Sequence, residues 1–227
     1  MNVILLAAGR GERMRPLTDS VPKALLAVGG RPLIVRHLEK LAAAGFERAV
    51  INHAHLGAAI EDALGDGSRY GIRIVYSREQ QALETAGGIA HALPSLGSAP
   101  FAAVNADVFS DYDYAQLARA VGRLAAGEFL AHLVLVGNPQ HHPAGDFALR
   151  DGRVVLAGHK LTFSGIAAYR AEMFAEVARG SKAKLAPLLV GQIGRGRVSG
   201  EHFHGRWRDI GTPERLAALD RELASAD

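Results

Sequence analysis

Two glycines and three arginines crowd one short run near the start of the chain, Leu6-Ala7-Ala8-Gly9-Arg10-Gly11-Glu12-Arg13-Met14-Arg15-Pro16-Leu17-Thr18, with Pro22-Lys23 close behind. Glycine lacks Cβ and tolerates positive φ, so backbone N–H groups in such a loop approach a ligand closely and form an anion-binding concavity. Arginine adds forked, permanently charged donors that match phosphate oxygens in pairs. The run reads as a polyphosphate loop. Spacing excludes two better-known versions. A dinucleotide fingerprint needs a third glycine where Met14 stands, and a P-loop needs Gly-Lys-Ser/Thr where Gly11 is followed by Glu12-Arg13.

The elements around the loop set where it sits. Val3-Ile4-Leu5-Leu6 reads as a fully buried strand bounded by turn signals. From Pro32 apolar residues recur at helical spacing as far as Gly45, with proline at the start and glycine just past the end. Strands over 46–52, 72–76 and 101–104 alternate with helices over 56–64 and 88–93. A helix over 114–126 then leads to a strand over 132–136. This alternation predicts an α/β fold, a Rossmann-like and mostly parallel sheet with helices on both faces. Ligands of such sheets bind at the carboxyl ends of the strands, where the glycine loop lies. The character then changes. Residues 147–155 read as a β-hairpin turned at Asp151-Gly152. A strand over 161–169 leads into a helix, the stripe Leu185-Ala186-Pro187-Leu188-Leu189 reads as helical core packing, and a strand over 207–210 precedes a closing helix over 213–224.

At 227 residues, with 48% hydrophobic and 22% charged residues, the chain suits one domain, 1–227, that buries a core without staples. The absence of cysteine excludes disulfides and thiolate metal sites and suits a reducing cytoplasm. The opening apolar run is short and has no basic residues before it, and no segment reaches bilayer-spanning length, so neither export nor a membrane location is expected. Basic and acidic residues nearly balance, 26 against 23, and no basic stripe with interleaved aromatics occurs beyond the loop, so nucleic acid is not an expected partner. His53-x-His55, His141-His142 and His202-x-His204 each offer half a metal site. Lacking a consistent third ligand, they read as solvated or hydrogen-bonded side chains. Asp107 and Asp209 each follow a strand end and could face one crevice. Taken alone, either is as readily a turn or helix cap.

The full string resembles the signature of the sugar-1-phosphate nucleotidyltransferases, L-A-A-G-x-G-x-R-[ML]-x-P-x-T followed by P-K, with every fixed position met. The resemblance implies a nucleotide site formed by Ala7, Ala8, Gly9, Gly11, Glu12 and Arg13. In it Arg13 holds the departing pyrophosphate and Lys23 contacts phosphates near the reacting centre. It implies that Asp107, in Asn105-x-Asp107, and Asp209, in Trp207-x-Asp209-x-Gly211-Thr212, bind Mg²⁺, which favours one or two carboxylates plus phosphate oxygens. Glu84-Thr85-Ala86-Gly87-Gly88 is similar to the family's base-side segment, which assigns Glu84, Gly87 and Gly88 to the nucleotide. Gly145-Asp146-Phe147 and Phe163-Ser164-Gly165 are similar to segments of its sugar pocket. Asn105, Gly145, Asp146, Ser164, Gly165 and Asp209 are then sugar-side residues, in a lobe that includes the hairpin. The Glu-Lys-Pro of many relatives is replaced by Gly158-His159-Lys160, so no phosphate role is assigned to Lys160.

Within that family the finer resemblance is to the bacterial N-acetylmuramate α-1-phosphate uridylyltransferases of cell-wall recycling. It rests on stretches such as Ile51-Asn52-His53-Ala54, Leu161-Thr162-Phe163-Ser164-Gly165 and Lys184-Leu185-Ala186-Pro187-Leu188-Leu189. It implies UTP and N-acetylmuramate 1-phosphate as substrates. A mannose-1-phosphate guanylyltransferase shares almost every motif and stays open as an alternative. A glycosyltransferase would carry Asp-x-Asp where Asn105-Ala106-Asp107 stands. A non-catalytic nucleotide sensor need not keep Arg13, Lys23, Asp107 and Asp209 together.

Overall fold

Residues 1–224 are described by a computed structural model. Strand β1 (Asn2–Leu6) ends at the glycine loop, whose body is a 3-10 turn at Glu12–Met14, followed by α1 (Leu17–Ser20) and a second 3-10 turn at Lys23–Leu25. The ribbon β2 (Ala27–Val28) and β3 (Arg31–Pro32) leads into α2 (Leu33–Ala43). Next come β4 (Arg48–His53), α3 (Gly57–Leu64), β5 (Arg73–Arg78), α4 (Glu84–Leu96) and β6 (Phe101–Asn105). The middle of the chain forms β7 (Val108–Ser110), α5 (Tyr114–Ala126) and β8 (Ala131–Val136). The last part forms β9 (Phe147–Arg150), β10 (Arg153–Val155), β11 (Lys160–Tyr169), α6 (Leu185–Gly194), β12 (Val198–Phe203), β13 (Trp207–Asp209) and α7 (Pro213–Ala224).

The main sheet runs β5-β4-β1-β6-β11-β8-β12-β10-β9. Strand β1 is central and parallel to both neighbours, with Ile4 opposite Val50 on one side and Ala103 on the other. A strand covered on both faces must be apolar on both, which explains the unbroken run Val3-Ile4-Leu5. Strand β11 runs antiparallel between β6 and β8, and β12 runs parallel beside β8. Helices cover both faces, as the alternation predicts. Leu38 of α2, Ile60 of α3 and Leu117 of α5 pack on one side. Ile89 of α4 and Leu189 of α6 pack on the other. Each such side chain contributes roughly 1.5–3 kcal/mol when fully buried. A third, smaller core joins Met14 of the glycine loop to Phe109 of β7, Ile210 after β13 and Leu219 of α7.

Three local expectations need correction. Helix α4 begins at Glu84, not at 88, because Gly87 and Gly88 serve as flat packing surfaces and not as breakers. A Cβ on Gly87 would meet the Ser181 carbonyl at 2.3 Å, and one on Gly88 would meet Asn52 Nδ2 at 2.6 Å. The segment after β11 is a 3-10 turn, Ala171–Phe174, and not an α-helix. Strands β2, β3, β7 and β12 carry no readable alternation. Val198-Ser199-Gly200-Glu201-His202 becomes β12 because β8 pairs with it along its whole length. The hairpin turn at Asp151-Gly152 takes φ of 49° and 73°, the left-handed pair that its type of turn demands. Among the described residues no helix is long and apolar enough to cross a membrane.

Candidate active site

The carboxyl ends of β1, β4 and β6 open into a cavity of about 340 Å³. Ala7, Ala8, Gly9, Lys23, Asn105 and Asp107 form one part of its wall, and Ala82, Glu84, Thr85 and Lys182 another. Parallel pairing of β1 with β4 and β6 sets Leu6 level with Asn52 and Asn105, which brings distant segments to one rim.

The glycine loop is held by its own side chains. Gly11 takes a left-handed φ of 70°, and a Cβ there would stand 3.0 Å from Thr18 Cγ2 and 3.4 Å from the Lys23 stem. Thr18 Oγ1 donates to the Gly11 carbonyl at 2.9 Å, and fully buried Met14 pins the loop from below. The three arginines divide their work. Arg10 donates to the Thr18 carbonyl at 2.6 Å and to Asp19 Oδ1 at 2.7 Å, and Arg15 Nε donates to the same oxygen at 2.9 Å. These guanidinia, Arg10 first, hold the Asp19 carboxyl below its usual range. Arg10 and Arg15 are thus braces, whereas Arg13 is exposed and unpaired among the described residues. Gly11, Glu12 and Arg13 stand outside the cavity wall, and the wall at Gly9 is open space.

Lys23 Nζ forms an ion pair with Asp107 Oδ2 in the wall of the cavity. Asp107 sits between β6 and β7, and β7 is fastened from beneath by His37. His37 Nε2 lies 2.8 Å from the Val108 carbonyl and Nδ1 lies 2.7 Å from the Tyr114 hydroxyl. A carbonyl only accepts, so Nε2 carries the proton and Tyr114 donates to Nδ1. Burial pushes His37 down to about 4, and the ring stays neutral at neutral pH. Strand β13 pairs antiparallel with β7, and the Ile210 amide donates to the Asp107 carbonyl at 2.9 Å, which makes Asp107 and Asp209 neighbours on adjacent strand ends. Asp209 forms an ion pair with Arg215 and lies 3.0 Å from His141 Nε2.

Two partly exposed carboxylates on one ribbon, each balanced by a cationic side chain, have the donor chemistry of a magnesium site completed by phosphate oxygens. No group of three or more acidic or histidine side chains among the described residues could hold a metal by itself. The remaining oxygens would therefore come from substrate and water.

The other expected positions divide clearly. Gly165 takes φ of 77° at a bulge in β11, and the Asn105 amide lies against it, 2.5 Å from where a Cβ would be. Asp146, next to Gly145, accepts from the Phe163 amide at 2.8 Å and pairs with His142 at 3.0 Å. Ser164 is buried; its hydroxyl donates to the Val134 carbonyl at 2.7 Å and accepts from the Ile166 amide at 3.1 Å, so it braces the bulge. Gly87 and Gly88 pack against protein and do not line the cavity. The Ala7 amide is taken by Asn52 Oδ1 at 3.0 Å. Asn52 in turn donates to buried Glu79 at 2.7 Å, and Glu79 accepts from the Leu83 amide at 2.9 Å. This chain ties the glycine loop to the start of α4. Sequence reasoning missed Glu79, Lys182 and Arg215, which sit in no motif; Asn52 was visible only inside a matching stretch. Of the remaining histidines, His53 pairs with Glu61 at 2.8 Å, His55 Nε2 donates to the Thr18 carbonyl at 3.1 Å, and the His202 ring lies tilted against His204.

A family model described as nucleotidyl transferase matches residues 2–149. The chain is 55% identical over 221 residues to the N-acetylmuramate alpha-1-phosphate uridylyltransferase of Neisseria meningitidis, covering 95% of each chain. It is 35% identical to the enzyme of the same name from Caulobacter vibrioides, covering 98% of this chain and 97% of that one. Its fold matches a UDP-glucose pyrophosphorylase solved with UDP-glucose, with a TM-score of 0.81 at 18% identity, over 100% of this chain and 99% of the other. The family model spans the glycine loop and Asp107, and the chain belongs to the sugar-1-phosphate nucleotidyltransferase family.

Proposed function

We propose that this chain transfers UMP from UTP to N-acetylmuramate α-1-phosphate, giving UDP-N-acetylmuramate and pyrophosphate, as a cytoplasmic step of cell-wall recycling. The observation that carries the reading is the Lys23–Asp107 pair in the wall of a cavity that the start of the glycine loop also lines. The substrate pair is taken from the relative that shares 55% identity along 95% of both chains.

The reaction asks for positioning and charge neutralisation, and needs no side-chain nucleophile. An oxygen of the sugar phosphate attacks the α-phosphorus of UTP in line. The bond from that phosphorus to the α–β bridging oxygen breaks, and pyrophosphate leaves with the electron pair. Backbone around Ala8 and Gly9 lies along the phosphates, and Lys23 offsets charge that grows at the α-phosphate in the transition state. Arg13, the one loop arginine without a partner among the described residues, receives the leaving pyrophosphate. Glu84 lies on the base side, and Asn105, with Gly145 and Asp146 on the neighbouring loop, faces the sugar. Asp107 and Asp209 would hold Mg²⁺, which when bound supplies Lewis-acid neutralisation of the phosphate oxygens and a template for the two substrates. Lys23 then passes from its carboxylate partner to the substrate phosphates.

The test is pyrophosphate release with magnesium, offering UTP, GTP, CTP and dTTP against the 1-phosphates of N-acetylmuramate, N-acetylglucosamine, glucose and mannose. The expected result is turnover with UTP alone among the nucleotides, and a far higher kcat/KM for N-acetylmuramate 1-phosphate than for the other sugars. Turnover confined to GTP with mannose 1-phosphate would replace the substrates and keep the site. Binding of nucleotide with no release for any pair would make the chain a sensor.

A further inference from the structure

We infer that Arg215, with His141 beside it, recognises a carboxylate carried by the acceptor sugar, an inference that rests on the muramyl sugar proposed above. Arg215 lies in the first turn of α7, where its amide donates to Thr212 Oγ1 at 3.4 Å. Its guanidinium lies across Gly211, and a Cβ on that glycine would stand 2.8 Å from Nη2. Nη1 forms the ion pair with Asp209 and lies 3.0 Å from His141 Nε2. Nε and Nη2 have no hydrogen-bond partner among the described residues. Two basic side chains therefore converge on a single carboxylate, and one edge of the guanidinium fork is left over.

The sheet order says which substrate meets that edge. The wall formed by Ala82, Glu84 and Thr85 follows β5, on the β4–β5 flank of β1. His141 belongs to the loop after β8, on the opposite flank beyond β6 and β11, and that same loop carries Asp146. Nucleotide on the first flank leaves the second to the acceptor. A muramyl sugar differs from its N-acetylhexosamine counterpart by a lactyl ether, which adds one carboxylate. A planar guanidinium edge accepts a carboxylate through two parallel hydrogen bonds, which an ammonium cannot reproduce. His142 is not the reader, because Asp146 already holds it at 3.0 Å.

The experiment measures kcat/KM of the full-length enzyme with UTP for N-acetylmuramate 1-phosphate and N-acetylglucosamine 1-phosphate, in wild type, Arg215→Met, Arg215→Lys and His141→Gln. The expected result is a fall of about 10- to 100-fold in the preference for the muramyl sugar in Arg215→Met, mostly through KM. Arg215→Lys falls nearly as far, since charge without the fork does not restore the contact. His141→Gln, which leaves the fork in place, shows a smaller loss of the same preference. Any common loss from slackening Asp209 cancels in the ratio. Equal losses for both sugars would overturn the inference, because Arg215 would then act on Asp209 or on the phosphate that both sugars share. An unchanged ratio in all three variants would overturn it too. A wild type that ignores the muramyl sugar altogether would overturn the proposed function first, and this inference with it.

Discussion

The two flanks of the site, for which we propose nucleotide on one and sugar on the other, are built differently. On the nucleotide flank a single run of residues does most of the work. Backbone of Ala8 and Gly9 lines the cavity, Gly11 supplies the left-handed turn, and Met14 drives a buried anchor into the small core shared with β7, β13 and α7. On the sugar flank the groups come from five separate segments: Asn105 packs against Gly165, and polar contacts hold Asp146 between His142 and the Phe163 amide and Asp209 between Arg215 and His141. The triphosphate is common to every nucleoside triphosphate whatever its base, so it suits fixed backbone. The sugar differs among relatives, so it suits side chains that can be exchanged without rebuilding a loop.

The largest effect tests what the flanks have in common. Asp107→Ala should lower kcat by about 10³-fold with any acceptor, and chelation of divalent metal should stop turnover until Mg²⁺ is restored. Steady-state rates with and without chelator decide this, and near-normal turnover in Asp107→Ala would remove the carboxylate ribbon from the mechanism. Next in size is the buried anchor. Met14→Ala should cost about 2–5 kcal/mol in urea unfolding and raise KM for UTP, because it empties the core beneath the loop.

A pair of glycine variants sharpens the contrast. Gly11→Ala strains a φ of 70° beside Thr18 and Lys23, and Gly165→Ala strains a φ of 77° and pushes Asn105 aside. Each should cost about 1–3 kcal/mol in stability. The first should raise KM mainly for nucleotide and the second mainly for acceptor, so parallel changes in both constants would erase the distinction between flanks. A further effect is on pH. His37 titrates near 4 when folded against 6.5 when free, so the unfolded chain binds more protons between those values. Its contribution is complete above about pH 6.5 and is lost as pH falls toward 4. The urea midpoint of the wild type should fall through that window, and His37→Gln should flatten the slope.

The glycine loop was legible because its chemistry is contiguous: glycine spacing, three arginines and the strand before them lie in one stretch of sequence. Even there the sequence overstated the charge available, since Arg10 and Arg15 both turn to Asp19. The central parallel strands and the helices 33–43 and 114–126 were readable from apolar periodicity, which burial enforces. Strand β12 was not, because Ser199, Gly200 and Glu201 follow their partner β8 and not a local pattern. Gly87 and Gly88 carry no mark in the sequence that shows one packed under the Ser181 carbonyl and the other against the Asn52 and Glu79 side chains. The junction of His141, Asp209 and Arg215 was out of reach for the same reason. It joins a loop, a strand and a helix that only the fold brings together.

The most direct test of the account follows the atoms. UTP and N-acetylmuramate α-1-phosphate are mixed with the enzyme and magnesium, and the phosphorus resonances are recorded by NMR with the product mass. The account predicts loss of the sugar phosphomonoester signal, appearance of a pyrophosphate diester with the mass of UDP-N-acetylmuramate, and one free pyrophosphate for each product formed. Unchanged UTP and sugar phosphate signals in the presence of folded, nucleotide-binding enzyme would contradict it.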